Sequence, residues 1–262
     1  MNLFYVMPVL VAAAVASSCG DDEDGGFGGS LRSDASVFYY NQITSNGAAD
    51  QSLLTVDVSL TGEDDSDSAS GIGYSRGDEG PELRVRIDDA NDNDDNSVSL
   101  AGENSSGRLF RTRVDLVNNK NYTAVSYGDT GFNTDIALFE QDGGEVSSGA
   151  RFRVINTVDP EDLDARGFSL RYNDAGTGNY FSTGLRLGQA TEYQSTNASS
   201  LNLVVARTGV NPEERFARVN CSLSGSRTYD VILASEDPLN PPLSESEADG
   251  ALVLYCHPQE RN

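Results

Sequence analysis

Apolar and polar residues alternate with a period of two in several short runs of the chain. Leu54-Thr55-Val56-Asp57-Val58-Ser59-Leu60, Leu83-Arg84-Val85-Arg86-Ile87 and Phe110-Arg111-Thr112-Arg113-Val114-Asp115-Leu116 each present one apolar and one polar face. That is the pattern of a strand with a core on one side and water on the other. No stretch sustains a 3.6-residue period. Asn46-Gly47, Asp142-Gly143-Gly144, Asp174-Ala175-Gly176 and Ser224-Gly225 separate the runs as turns. The pattern predicts an all-β chain of short strands.

The chain also repeats itself. Asn121-Tyr122-Thr123-Ala124-Val125-Ser126-Tyr127-Gly128-Asp129 is similar to the segment that runs from Thr228-Tyr229-Asp230 to Glu236-Asp237. A short polar turn precedes each copy and an apolar strand follows it, Ile136 to Phe139 and Ala251 to Tyr255. At the front, Ser36 to Asn41 aligns with Arg151 to Asn156. The expectation is two tandem Ig-like antiparallel β-sandwich domains, 34–142 and 149–257, of about seven strands each. The join between them is short, so the domains should abut.

The same residues carry a resemblance. Ala150-Arg151-Phe152-Arg153-Val154-Ile155-Asn156, the run from Lys120-Asn121-Tyr122 to Gly128-Asp129, and Ile136-Ala137-Leu138-Phe139-Glu140-Gln141-Asp142 resemble the opening, central and closing strands of the family called domain of unknown function 4397. The resemblance implies an envelope β-sandwich, often in tandem behind a lipoprotein signal. It brings no enzymatic activity with it.

The N-terminus agrees. Residues 1–18 carry no charge, and the apolar run Leu3 to Ala16 is too short for the ~20 helical residues of a bilayer span but fits a signal-peptide core. It ends in Ala16-Ser17-Ser18-Cys19, which resembles the lipobox of bacterial lipoproteins. The resemblance implies cleavage after 18, lipid attachment at Cys19 and a membrane held through that lipid. Residues 19–33 are then an acidic, Gly-rich, disordered tether. Gly20 directly after the cysteine resembles a sorting signal for the outer membrane. With Cys19 lipidated, Cys221 and Cys256 are left as one disulfide or as two buried thiols. An exported chain favours the bridge.

Composition narrows the partners. The net charge is −23, and Lys120 is the one lysine among 18 basic residues. Such a chain repels phosphate, which argues against nucleic acid. Trp is absent and His257 is the single histidine. Histidine-based nucleophilic catalysis could use only His257, whose neighbour Cys256 would point to the opposite face of a strand. A zinc site lacks enough His and Cys ligands. The acidic run Asp88-Asp89-Ala90-Asn91-Asp92-Asn93-Asp94-Asp95-Asn96 follows a strong strand. Its alternating oxygens at Asp88, Asp89, Asn91, Asn93 and Asp95 suit calcium, with Glu63 to Asp67 as a second acidic segment. It is no EF-hand, since Asp94 stands where Gly is needed and Leu100 where Glu is needed. The function expected is a non-enzymatic structural or interaction module of the cell envelope, with an envelope protein or polysaccharide as partner. A calcium-stabilised adhesin or glycan binder, and a carboxylate-dependent hydrolase, stay open as alternatives.

Overall fold

The computed structural model describes residues 34–45, 51–63, 65–77, 79–87, 97–130, 133–143, 146–158, 166–210, 213, 215–242 and 251–260. The expected signal peptide, Cys19 and the tether lie outside them.

The described chain is all-β. The first half contributes β1 (Asp34–Asn41), β2 (Val56–Thr61), β3 (Ser66–Ile72), β4 (Glu82–Arg86), β5 (Ser97–Asn104), β6 (Gly107–Asp115), β7 (Asn121–Tyr127) and β8 (Asp135–Glu140). The second contributes β9 (Ala150–Asn156), β10 (Phe168–Tyr172), β11 (Ser182–Leu185), β12 (Gln194–Thr196), β13 (Ser200–Arg207), β14 (Arg215–Ser222), β15 (Arg227–Ser235) and β16 (Leu252–Pro258). A single 3₁₀ turn, Gln51–Leu54, interrupts the first half.

Strands of the first half form sheets β4-β1-β7-β8 and β3-β2-β5-β6; those of the second form β12-β9-β15-β16 and β11-β10-β13-β14. Counting the second half from its own first strand reproduces the first half's order in both sheets. The described residues of each half form a sandwich of eight strands, one more than the sequence pattern suggested. The sheets are not wholly antiparallel. β1 runs parallel to β7, with Ser36 opposite Asn121, and β9 runs parallel to β15, with Ala150 opposite Arg227.

The repeat extends to details. The hydroxyl of Tyr122 accepts the Val117 amide at 3.0 Å, and that of Tyr229 accepts the Ser224 amide at 2.7 Å. Asn119 and Ser226, in the same turn of each half, both take left-handed backbone conformations at φ 60° and 61°. The side chains of Asn41 and Asn156 accept the amides two residues on, from Ile43 and Val158, at 3.1 and 3.0 Å.

Burial explains two kinds of strand. β2 alternates strictly, with Val56, Val58 and Leu60 inside and polar residues outside, because its sheet has one face in water. β15 reads Tyr-Asp-Val-Ile-Leu-Ala and is buried on both faces. Tyr229, Val231 and Leu233 enter the second sandwich's core, while Ile232 and Ala234 join a third apolar cluster with Tyr40, Val125 and Ile155. That third cluster lies between the two sandwiches. The layers therefore run from the sheet of β2, through those of β1 and β9, to that of β10, and the middle two sheets pack face to face.

Candidate functional site

The seam between the middle sheets holds the most developed polar structure among the described residues. Alternation along β9 sends Phe152 and Val154 into the core and Arg153 into the seam; along β15 it sends Asp230 there. Both charges are nearly out of water, with side chains 9% and 1% exposed. The Arg153 guanidinium donates to both Asp230 carboxylate oxygens, Nε at 2.5 Å and a terminal nitrogen at 3.3 Å. Gln259 Nε2 donates to the same carboxylate at 2.9 Å and to the Tyr193 hydroxyl at 2.7 Å. From the first sandwich, Thr123 Oγ1 donates to Asp230 Oδ2 at 2.5 Å and accepts from Gln141 Nε2 at 2.9 Å. The Arg153 cation lies 5.2 Å from the Phe139 ring centroid and 4.9 Å from that of Tyr193.

A buried charge is tolerated when it is paired and its remaining hydrogen-bonding positions are filled. Here four donor contacts reach the Asp230 carboxylate, three from its own sandwich and one from the other. The chain after β16 adds a clasp. Gln259 Oε1 accepts the amides of Asp142 and Gly143, and Gln141 Oε1 accepts that of Glu260. At the far end of the seam the Tyr74 hydroxyl donates to the Ser235 carbonyl at 2.8 Å, and the Ser45 amide donates to the Pro238 carbonyl at 2.8 Å. Burial pushes the Tyr74 phenol far above its ordinary range.

A groove of about 750 Å³ opens along this seam, lined by Phe38, Tyr40 and His257 and edged by Asp34, Glu79, Glu82 and Glu260. Its groups are largely committed to the fold. Glu82 accepts from Arg84 at 2.9 and 2.8 Å and from the Ser36 hydroxyl at 2.8 Å, and the Arg84 hydrogen bonds hold its carboxyl below the usual range. His257 is 2% exposed and lies against the Tyr40 ring, with centroids 4.1 Å apart. Gly80 is required there, since a Cβ would overlap the Tyr39 carbonyl oxygen.

The sequence-predicted residues fare differently. Cys221 and Cys256 are bonded, with Cα atoms 6.0 Å apart. They join β14 to β16, the edge strands of the two sheets of the second sandwich. Asp88, Asp89, Asn91, Asn93 and Asp95 lie outside the described residues. In the other acidic segment, Asp67 and Asp65 accept the backbone amides of Arg84 and Arg86 at 2.9 and 3.2 Å. Alternate aspartates there serve the outer edge of β4, replacing a missing ladder strand. Among the described residues no cluster of three or more His, Cys, Asp or Glu could hold a metal. The seam pair itself was missed from sequence; the one signal was Asp230, a lone charge in the run Tyr229 to Ala234, whereas Arg153 alternates with Arg151 like an outward-facing residue.

Comparison with known proteins adds little. No family model matches the chain. No curated protein matches it either. A solved fimbrial assembly protein from Parabacteroides distasonis aligns over 79% of this chain and 92% of its own, at 12% identity and a TM-score of 0.18. A likeness that slight carries no argument.

Proposed function

We propose that the chain is a lipid-anchored bacterial envelope protein, held through Cys19 to the outer membrane, whose tandem sandwiches act as one non-enzymatic structural and interaction module. The observation that carries the reading is the seam. Two further hydrogen-bond donors, Thr123 and Gln259, and two aromatic rings fix a buried Arg153–Asp230 pair between the sandwiches. Such a joint suits a rigid spacer and would be wasted on two domains that need to swing. The apolar leader ending at Cys19 and the acidic tether after it support the anchor. The Cys221–Cys256 bond supports an oxidising compartment. A non-enzymatic role is supported by the groove, whose histidine is buried against Tyr40 and whose Glu82 is engaged by Arg84 and Ser36.

The test is fractionation with lipid labelling. Wild type should take up labelled palmitate and sediment with membranes, and Cys19→Ser should do neither. Cys19→Ser remaining in the membrane fraction, with no label on wild type, would overturn the anchor.

A further inference from the structure

Acidic residues outnumber basic ones by 41 to 18 in this chain. Five of the fifteen described arginines, Arg84, Arg86, Arg151, Arg153 and Arg171, make an ion pair with a carboxylate. Arg108, Arg111 and Arg113 do not. Among the described residues none of the three makes an ion pair. All are exposed, and all belong to β6 at the edge of the first sandwich's outer sheet. The ladder sets them in a row: Arg113 opposite Ser99, Arg111 opposite Ala101, Arg108 opposite Glu103.

The row stands beside a shallow trough of about 440 Å³ on the same face. Its floor carries the hydroxyls of Ser59, Thr61, Ser68, Ser70 and Ser99, with Arg108 and Arg111 on the wall. The two carboxylates of the trough are at one end. Asp57 is spent on the Gly71 amide at 2.7 Å, and Glu103 lies beside Arg108. At the other end Arg111 and Arg113 stand side by side, with Asp115 beyond them on the same face and Arg111 Nε donating to the Ser99 hydroxyl at 3.1 Å.

We propose that this trough binds an acidic polysaccharide built of uronate units. Arg108, Arg111 and Arg113 would take its carboxylates and the serine and threonine floor its hydroxyls. The guanidinium fork matches a carboxylate with two parallel hydrogen bonds. The floor favours sugar over acidic peptide. A peptide lying across the face of the sheet would meet side chains and no free backbone ladder, and the floor has hydroxyls where peptide side chains would need apolar pockets. The net charge of −23 does not forbid this at ~0.15 M salt, where the field of distant carboxylates decays within about 8 Å. The site goes beyond the anchored-module reading and does not need it, since the lipid plays no part in the assay.

The test uses the full chain in detergent at physiological salt, on immobilised polygalacturonate, neutral dextran and poly-aspartate. Wild type should be retained on polygalacturonate and pass through the other two. Arg111→Gln/Arg113→Gln should lose on the order of tenfold in affinity per side chain, the worth of one charge-assisted hydrogen bond. Arg218→Gln removes one such charge, as Arg113→Gln alone does, at an exposed position on β14 in the opposite outer sheet, and should bind like wild type. An unchanged melting temperature certifies the double variant; should it melt early, Arg113→Gln alone gives the reading. No retention of wild type, equal capture by poly-aspartate, or binding by the arginine variants equal to wild type would overturn the proposal.

Discussion

Replacing Asp230 by Asn changes almost no volume and removes one charge from the middle of the seam. The loss follows from the contacts. The carboxylate accepts from Arg153 at 2.5 and 3.3 Å, from Thr123 at 2.5 Å and from Gln259 at 2.9 Å. An amide has one oxygen, so about half of these donors face another donor. Arg153, with its side chain 9% exposed, cannot shed its proton and is left as a buried charge without a counter-ion. Breaking one side of such a pair costs about 3–5 kcal/mol, and the residual amide oxygen puts this case near the lower end, roughly 3 kcal/mol. Urea unfolding of wild type, Asp230→Asn, Arg153→Met and the double variant measures it. The double variant removes both charges and should recover much of the loss, with a coupling of about 2 kcal/mol or more. A cost for Asp230→Asn below about 1 kcal/mol, or purely additive single effects, would refute the reasoning.

Other consequences can be checked separately. Cys221→Ser/Cys256→Ser opens a bridge spanning 35 residues and should lower stability by roughly 3–4 kcal/mol in the chain-entropy model, read as a fall in urea midpoint without reducing agent. Glu213 accepts from Arg171 Nε and Nη2 at 2.9 and 2.7 Å and from the Tyr180 hydroxyl at 2.7 Å; Arg171 holds its carboxyl at about 2, below the ordinary 4.5. A depressed carboxyl stabilises the fold above the unfolded value and loses that effect on protonation, so about 2–3 kcal/mol should disappear between pH 4.5 and 2 and be missing at every pH in Glu213→Gln. If the oxygens of Asp88–Asn96 hold calcium, 5 mM CaCl₂ should raise the melting temperature beyond an ionic-strength-matched NaCl control, and Asp89→Ala/Asp95→Ala should abolish the difference; at a hundredfold excess over Kd the gain is about 2.7 kcal/mol.

Much of this fold was legible in the alternation. β2, β4 and β6 read clearly because one face of each meets water or a polar groove. The repeat was legible too, because Tyr122 and Tyr229 close the same turn in each half. The seam was harder to read. β15 is buried on both faces, so period two fades there into a nearly continuous apolar run, while Arg153 on β9 alternates with Arg151 and looks like an ordinary outward-facing position. Only knowing that a second sheet covers them turns their charges into a pair. The parallel neighbours β1 and β7 were equally hidden, since strands far apart in sequence leave no mark of their relative direction. The aspartates at 65 and 67 carry a second role that the sequence does not display, accepting the amides of Arg86 and Arg84. Their spacing resembles ligand spacing because a strand edge and a cation both call for oxygens at alternate positions.

Native-state hydrogen exchange tests the central claim, that the two sandwiches are joined into one unit by the seam. The amides of β7 and β15 belong to different sandwiches and face each other across it. Joined sandwiches open together, so the slowest amides of both strands should report the same opening free energy within about 1 kcal/mol and fall by the same amount in Asp230→Asn. If β7 opens at a distinctly lower free energy than β15 and is untouched by Asp230→Asn, the sandwiches are independent and the account is wrong.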